Sequence, residues 1–459
     1  MELIDRLCSR QTARLACTLM LVLAMCGAVA LAQDDAGPSE VLEVDQAVKL
    51  ALANNRNLKI VSLDFDKSKQ KLDAEKTRRL PAFSTYVFAS QLLEPISFTV
   101  PAGQFGTYPA PIGPIPAKDT PITTPSQPTA YIFATASQPL LTLYKINLHI
   151  QGQVLSVEQA AQKVREERIS IVDDVRQAYY SIVEIQNVIQ ACQASIKQYK
   201  ELDRITDEYV LEQVVLKSDS LEVKAKLADQ EYKLLQAQDK LASAKETLNN
   251  LLGRDINTRF RAVNATTLSP VEEDLPTAQA TALRQNPKVK EAEITVKQAE
   301  NARRQAKSQY LPDMGLAFHY LSPFGVEFVP TNIMGLGVEF NWEPFDWGRR
   351  KHEVNEKTMA VEQSKLGLDD TKAQILINVD NQFRSLQEAR VAVAVATAKK
   401  DASAEKLREV TYKYGQQTAL LRDVLQQQSS VEAANADYNE AMATFWTAKA
   451  NFQKAIGEE

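Results

Sequence analysis

Few side chains in this sequence have the spacing that catalysis or metal binding requires. The three histidines, His149, His319 and His352, lie far apart and share no metal-ligand spacing. Of the four cysteines only Cys192 lies beyond residue 32, so that part of the chain cannot form an internal disulfide. No glycine-rich phosphate loop or nucleophile motif is present. The sequence therefore predicts a protein that is not an enzyme and that has no cofactor or resident metal.

The first 32 residues predict a secretory signal peptide. Three arginines precede an apolar run from Leu15 to Leu31, and Ala30-Leu31-Ala32 has the form of a cleavage site. A transmembrane anchor is one alternative, because the run nearly spans a bilayer, and lipid attachment at Cys26 is another. Removing these residues changes the 53 basic and 58 acidic side chains to 50 and 56, a balance of −6. That charge argues against nucleic acid as a partner.

The rest of the chain contains the same pattern twice. Residues 44–81 and 275–312 align without a gap at an offset of 231, and Asn55 matches Asn286. The later parts of the two copies align at an offset of 204. A repeat of this length indicates two copies of one structural unit.

We place the two repeats at residues 33–274 and 275–459. Each ends in a glycine after a long apolar pattern, Gly253 in the first repeat and Gly457 in the second. Glycine is the usual residue at the C-terminal end of a helix, so these two glycines predict where the last helices end.

Apolar residues recur every four and three residues over long stretches without proline. From Ile150 to Tyr199 they form a coiled-coil seam of about seven heptads. A helix from about Leu141 to Asp207 would be roughly 100 Å long. Two shorter helices, 45–79 and 217–252, together match that length, which predicts that they stack end to end beside it. The second repeat carries an equivalent seam from Val424 to Ala455.

Four segments have the composition of β-strands: Phe83–Leu93, Ala130–Gln138, Met314–Leu321 and Ile333–Trp342. In the last segment the apolar residues Leu336, Val338, Phe340 and Trp342 alternate with Gly337, Glu339 and Asn341. This alternation suits a transmembrane barrel with those four apolar side chains facing lipid, and it also suits one sheet of a soluble α+β domain. Four strands cannot close a barrel, so a barrel would require several chains.

Export, few strands and very long helices together favour the barrel. We expect a mostly α chain with a small β part. Long coiled-coil hairpins would extend from an oligomeric transmembrane β-barrel to which each chain contributes four strands.

The loops within the two strand pairs differ in length. Only Ser322–Asn332 separates the second pair, whereas Glu94–Thr129 separates the first and is rich in proline from Pro95 to Pro128. Such a segment cannot join the interior of a sheet and favours extended polyproline II conformation. We expect an exposed flexible loop, with a lid or docking segment as the alternative.

Short motifs that occur twice and in the same order resemble the TolC-like outer-membrane efflux protein family over nearly all of the chain beyond residue 32. They are Ala51–Leu58 with its echo Ala282–Val289, Leu80-Pro81 with Leu311-Pro312, Glu343–Gly348, and Leu248–Gly253. The resemblance implies a homotrimer, with four strands per chain in an outer-membrane β-barrel and the helices forming an α-barrel through the periplasm. It also implies a periplasmic adaptor protein and an inner-membrane transporter as partners, and drugs, metals or proteins as cargo.

The resemblance implies that the adaptor docks at the tips of two helical hairpins, near residues 209–216 and 412–421. Tyr209 and Glu212 lie at the first tip, and Tyr412 and Gly415 lie at the second. The family commonly has a glycine at this position. Gly415 provides it in the second tip, and the first tip lacks it.

The resemblance also implies a constriction at the tunnel entrance. Some family members carry two acidic residues one helical turn apart just beyond the second tip. Asp423 matches the first of them, and Gln426 occupies the second position. The alternative for Asp423 is a solvated helix surface, since aspartates on helices are usually exposed.

A soluble periplasmic coiled-coil adaptor or scaffold protein would also explain the heptads and the signal. It would not explain four alternating segments placed symmetrically in both repeats. The outer component of a type I secretion system would keep the same fold and differ in its partner and cargo. We therefore expect an outer-membrane channel that extends into the periplasm.

Overall fold

A computed structural model describes residues 40–263, 274–326 and 329–458. The expected signal peptide, residues 1–32, lies outside the described residues. The helices of these ranges are α1 (Val44–Asn54), α2 (Arg56–Thr77), α3 (Thr142–Leu211), α4 (Lys217–Leu251), α5 (Leu275–Gln285), α6 (Pro287–Ser308), α7 (Arg349–Gly415) and α8 (Leu421–Ile456).

Most strands lie between the short and the long helices. They are β1 (Glu40–Leu42), β2 (Ala82–Gln91), β3 (Ile96–Val100), β4 (Thr107–Tyr108), β5 (Gly113–Pro114), β6 (Thr120–Thr124), β7 (Pro128–Pro139), β8 (Phe260–Ala262), β9 (Asp313–Phe324) and β10 (Ile333–Asn341). Four of them form one antiparallel sheet in the order β10-β9-β7-β2. These are the four predicted strands, within a few residues at each end.

The two long helices confirm the heptad prediction. Helix α3 has 70 residues and α7 has 67, so α3 is about 105 Å long at 1.5 Å per residue. Helices α2 and α4 both pack along α3, as the matched lengths predict. The sheet therefore lies at one end of the molecule, and the turns α3–α4 and α7–α8, the hairpin tips, lie at the other.

The predicted helix 45–79 is interrupted at Asn55, so this part of the prediction is wrong. The Asn55 side chain accepts hydrogen bonds from the N–H groups of Asn57 (2.8 Å) and Leu58 (3.1 Å) and thereby caps α2. Its amide also donates to the carbonyl oxygen of Leu251 at the end of α4, at 2.8 Å. The buried side chain of Asn55 thus lies where α1 ends and α2 begins, and it joins this break to the end of α4.

The second repeat has the same junction. Asn286 accepts a hydrogen bond from the N–H of Lys288 (3.0 Å) and donates to the carbonyl oxygen of Ala455 (3.0 Å). In the first repeat Gly253 follows α4 with φ +67°, and a Cβ there would lie 2.4 Å from the carbonyl oxygen of Asn54. Only glycine allows this approach between the end of α4 and the break in the α1–α2 segment.

Buried apolar side chains form three clusters. One belongs to the first repeat and is centred on Tyr179 and Leu248. Another belongs to the second repeat and contains Val379 and Phe445. The third, which we call the tip core, is shared by both hairpins and consists of Tyr199, Leu202, Val223, Leu407, Tyr414, Leu421, Val424 and Leu425.

A small parallel sheet, β1 with β8, closes the first-repeat cluster. The Tyr179 hydroxyl donates to the carbonyl oxygen of Leu42 (2.8 Å) and accepts from the N–H of Val263 (2.9 Å). It therefore holds the two strand ends against α3. Burial raises the pKa of Tyr179, so the hydroxyl stays protonated and able to donate. Strands of three residues give no periodic signal, and the sequence did not predict them.

The proline-rich segment is a structured hairpin, which corrects the expectation of a flexible loop. Strand β3 pairs with β6 and β4 pairs with β5. Each strand of a two-stranded ladder needs hydrogen bonds on one side only. A proline such as Pro121, which has no N–H to donate, can therefore lie in the ladder with its nitrogen on the unpaired side, and the pairing is kept.

The junction predicts a position-specific effect of asparagine loss. Asn55→Ala removes the cap of α2 and leaves a carbonyl of Leu251 without its partner. It should lower the free energy of unfolding by about 2–5 kcal/mol, from a cap worth about 1–2 and an unmet acceptor worth about 1–3. Asn57→Ala is the matched control, because Asn57 is exposed two residues away. Urea unfolding of the detergent-solubilised protein, followed by circular dichroism, would measure both, and equal effects would contradict the assignment.

Candidate functional site

The four-stranded sheet presents one coherent apolar face. Directly paired residues of adjacent strands lie on the same face. Leu336 of β10 pairs with Phe318 of β9, which pairs with Ala136 of β7, which pairs with Phe83 of β2. The adjacent row has Val338 paired with Leu316, and two rows away on the other side Ile132 pairs with Val87. The polar residues on this face of these rows include Gln138, Thr85 and Ser322.

The opposite face carries most of the polar groups. Glu339 pairs with Gly315, and His319 pairs with Thr135, whose hydroxyl lies 2.7 Å from that of Ser84. Such a two-faced sheet suits lipid on one side and water on the other. The register keeps Leu336, Val338 and Phe340 on the apolar face. Trp342 lies just beyond the end of β10 and continues the alternation.

The sheet has two unpaired edges. Strand β2 lies at one edge and β10 at the other, and nearly every residue of both is exposed in the single chain. An unpaired edge presents free N–H and C=O groups, which are costly in a membrane and which another strand can satisfy. The described sheet is therefore complete only when other strands pair with β2 and β10.

The two hairpin tips pack against each other through the tip core. The rings of Tyr209 and Tyr414 lie 5.8 Å apart between centroids. Tyr414 is buried and Tyr209 is half-buried. Tyr412 and Glu212, by contrast, point to solvent. Of the four residues assigned to adaptor docking, Tyr209 thus contributes to packing, and Glu212, Tyr412 and Gly415 are exposed.

The backbone turns at both tips at a glutamine. Gln213 has φ +54° and Gln417 has φ +58°, and the two positions differ by the repeat offset of 204. Gly415 is not this turn residue, because it is the last residue of α7, and a Cβ there would meet nothing within 4 Å. Its counterpart in the first tip is Leu211, which is 84% exposed. The sequence did not identify the two glutamines.

A polar clamp fixes the first tip alone. Asp207 of α3 accepts hydrogen bonds from the Ser220 hydroxyl (2.6 Å) and the Lys224 ammonium (3.0 Å), both on α4. These bonds, the one from Ser220 first, lower the pKa of Asp207. The clamp is therefore present at neutral pH and would be lost as the pH falls through that lowered pKa. The offset maps Ser220 onto Val424, so the second tip is held by apolar packing instead.

Asp423 has a local structural role. Its carboxylate accepts a hydrogen bond from the N–H of Leu420 (3.3 Å), which helps to start α8. Asp219 makes the same contact with Leu216 in the first hairpin. The side chain of Asp423 is about half exposed and lies 3.9 Å from the guanidinium of Arg422. A carboxylate there is free to face an opening.

Gln426 lies one helical turn beyond Asp423 and is also exposed. Its amide can donate and accept hydrogen bonds but carries no charge. Any constriction here would therefore have one acidic group per chain. The repeat offset could have identified Asp219 as the counterpart of Asp423 from the sequence.

The histidines and the cysteine, which could take part in catalysis or metal binding, lie far from one another. His149 lies on α3, His319 on β9 and His352 on α7. In the ranges given above, no three His, Cys, Asp or Glu side chains converge in a way that could hold a metal ion. Cys192 is half-buried on α3, and burial raises the pKa of its thiol. Over the same residues, none of the helices combines the length and the apolar character needed to cross a bilayer.

Solved structures share this fold over nearly the whole chain. The chain is similar to CusC with a TM-score of 0.75 and 15% identity, covering 91% of this chain and 92% of that one. It is similar to the Campylobacter jejuni outer-membrane channel CmeC with a TM-score of 0.73 and 16% identity, covering 90% and 85%. For VceC of Vibrio cholerae the values are 0.71 and 12%, covering 90% and 96%. At these identities the likeness establishes the fold.

The family itself is established by sequence. A search of curated proteins gives no significant match. The model of the outer membrane efflux protein family, however, matches residues 47–254 and 279–458, once for each half. These matches do not favour a soluble coiled-coil adaptor or scaffold. On the strength of this coverage, the chain belongs to the outer membrane efflux protein family.

Proposed function

We propose that three copies of this chain close into a single tunnel that crosses the outer membrane and extends through the periplasm. Family membership makes the chain an outer-membrane efflux channel rather than an enzyme. The four-stranded sheet with two unpaired edges supports an assembly of several copies, and family membership supports three as their number. Three such sheets supply twelve strands, within the range of closed membrane barrels, and β2 of one copy would pair with β10 of the next.

The helices support the same closure. Helix α7 packs against α5, α6 and α8, whereas α2 and α4 pack against α3. Exposed apolar side chains lie along these lateral helices: Met359, Leu366, Ile377, Val391 and Val395 on α7, and Ile60, Leu63, Leu221, Tyr232 and Leu235 on α2 and α4. Strand β10 leads into α7 and α2 leads into β2, so each free sheet edge lies on the same side of the chain as an exposed apolar helix surface. A single rotation that relates neighbouring copies would therefore bury both the sheet edges and these helix surfaces.

The hairpin tips are the proposed adaptor site. They are the ends most distant from the sheet, and they expose Leu211, Val214, Leu216, Tyr412 and Leu420. The open space beside Gly415 would let another chain approach the end of α7 closely. Exposed apolar groups at a protruding end suit a protein partner. A periplasmic adaptor and an inner-membrane transporter would complete the pathway, with small molecules or proteins as cargo.

The proposal includes a division of the chain into a signal peptide, residues 1–32, and two repeats, residues 33–274 and 275–459. Export through the inner membrane is needed for a protein of the outer membrane. The two repeats each supply two strands, one long helix and one returning helix. Two near-equal units per chain give a near-uniform wall when three chains assemble.

The first prediction concerns the number of chains. Mass measurement of the detergent-extracted protein should give three times the mass of the mature chain, because a single chain leaves both sheet edges unpaired and channels of this family act as trimers. Solubilisation in a mild detergent followed by native mass spectrometry would measure it. A stable folded monomer or dimer as the main species would rule the proposal out.

The second prediction concerns the lipid face. Val338→Arg should impair assembly, because Val338 lies within β10 on the apolar face and a charge on the lipid side costs roughly 2–4 kcal/mol at mid-bilayer. Glu339→Gln is the matched control on the neighbouring residue, which lies on the opposite face, and it should assemble normally. The yield of trimer in the outer-membrane fraction gives the result. Equal tolerance of the two changes would show that the faces are assigned wrongly.

The third prediction concerns the entrance. Three copies of Asp423 near a common axis would attract cations. Asp423→Asn keeps an oxygen that can accept the Leu420 N–H bond, and it should lower block by divalent cations in planar-bilayer conductance. Since Gln426 is uncharged, the block should be weaker than in a channel with two acidic rings.

Asp219→Asn provides the control, because Asp219 makes the same capping contact in the other hairpin. Its effect on divalent block should be small. Unchanged block in Asp423→Asn, or the same reduction in both variants, would leave Asp423 as a capping residue on a solvated surface.

A further inference from the structure

The polar face of the sheet also carries a continuous run of aromatic rings. Tyr86 of β2 pairs with Phe133 of β7, and Phe88 pairs with Tyr131 two residues further along the same strands. The rings of Tyr86 and Phe88 stack with 6.4 Å between centroids, and those of Phe133 and His319 stack with 6.0 Å. Paired residues, and residues two apart on a strand, share a face. The five rings therefore form one surface, which we call the aromatic strip.

The aromatic strip is accessible in the folded chain. Tyr86, Phe88 and Phe133 are 61%, 46% and 39% exposed. His319 is exposed and Tyr131 is half-buried. Aromatic rings that lie side by side on a surface can stack on a planar molecule.

Small residues separate the strip from an acidic group. Gly335 pairs with His319, and Gly337 pairs with Ala317. A Cβ built on either glycine would meet nothing within 4 Å, so the surface beside the strip is open. Glu339 follows Gly337 by two residues on the same face, and it is exposed. This part of the sheet thus has aromatic rings at one end and a carboxylate at the other.

The charged residues of the four strands have one sign. Over β2, β7, β9 and β10 there is no lysine or arginine, and the two acidic residues are Asp313 and Glu339. Asp313 lies 2.8 Å from the ammonium of Lys145, at the helix end of the sheet. Glu339 is therefore the acidic group beside the open surface. Aromatic faces attract cations as well, because the ring quadrupole is negative above the ring. The surface favours a cation over an anion.

The proposed barrel would place this face on its inside. Both acidic residues of the strands lie on it, and charged groups are costly on the lipid side. Strand β2, which carries Tyr86 and Phe88, is one free edge of the sheet, and β10, which carries Glu339, is the other. Pairing β10 of one copy with β2 of the next would therefore bring the carboxylate of one chain towards the aromatic rings of its neighbour.

We propose that the aromatic strip and Glu339 bind planar organic cations as they pass through the barrel. The rings stack on the planar part of the ligand, and the ring faces and the carboxylate attract its charge. The inference names a class of cargo for the proposed channel. It rests on the proposed function, because the polar face lines a tunnel only in the closed barrel.

Block of conductance by ethidium, a planar cation, tests the site. Ethidium should block the trimer in a planar bilayer, and the planar anion naphthalenesulfonate should not. Phe133→Leu should raise the ethidium concentration for half block by about two- to fivefold, the range for one exposed cation–π contact. Glu339→Gln should raise it as well. Because Asp423 is unchanged in both variants, the difference reports the barrel and not the tunnel entrance.

Phe318→Leu is the matched control. Phe318 precedes His319 on β9 and lies on the apolar face, so its loss should leave block by ethidium unchanged. No change in Phe133→Leu, or equal changes in Phe133→Leu and Phe318→Leu, would overturn the site. If the protein is trimeric and conducts under those outcomes, the channel stands and only the site is wrong. A protein that forms no trimer and does not conduct would overturn the proposed function.

Binding in detergent measures the site without conductance, because all five rings belong to one chain. Fluorescence polarisation of ethidium, titrated with the solubilised protein, gives the dissociation constant. Phe133→Leu should weaken binding about two- to fivefold, and Phe318→Leu should not weaken it. Equal binding by these two variants would overturn the site whatever the number of chains.

Discussion

Two buried asparagines hold the architecture together. Asn55 and Asn286 each cap a helix with the side-chain oxygen and reach across to a neighbouring helix end with the side-chain nitrogen. A side-chain amide can accept through its oxygen and donate through its nitrogen without carrying a charge. Without this junction, α2 and α4 would be two independent helices beside α3, and nothing would fix their combined length. The sheet at one end and the tips at the other depend on that length.

The glycines at these junctions allow the same contact between helix ends. Gly253 and Gly457 adopt left-handed conformations, and a Cβ on Gly457 would lie 3.0 Å from the Cα of Asn286. Each asparagine can reach its carbonyl only because the helix end approaches closely. Away from the junctions the two repeats meet through the apolar tip core and through polar groups. Examples of the polar contacts are Gln159 with Glu291 (3.0 Å) and Lys454 with the buried Asp173 (2.9 Å). The tip core and these polar contacts together set how the two repeats are placed.

Periodicity predicted the long elements well and the short ones poorly. Apolar spacing over seven heptads predicts a helix more strongly than the preferences of single residues do. The predicted bounds of α3 are therefore right to within a few residues. The break at Asn55 was missed because the apolar spacing continues through it. A signal was nevertheless present: Pro287 follows Asn286, and proline favours the first position of a helix. The offset of 231 carries that helix start to Arg56 in the first repeat.

Other errors have different physical causes. The strands β1 and β8 are parallel and more than 200 residues apart, so no local pattern marks them. The segment between β2 and β7 was predicted as a loop because its many prolines are untypical of strands, although its strands pair in two-stranded ladders. The left-handed turn residue at each tip is a glutamine, which composition alone would not single out. Asp423 could be located from the sequence, but its capping bond to Leu420 depends on the backbone of the turn.

The apolar exposure of the single chain is itself informative. Much of it lies at the two lateral edges, on the apolar face of the sheet and at the hairpin tips. Scattered exposure would be ordinary for a soluble protein. Apolar exposure gathered at two matching edges favours an assembly in which neighbouring copies cover it. In the proposed trimer each neighbour would supply a strand for β2 and a helix stack for α7.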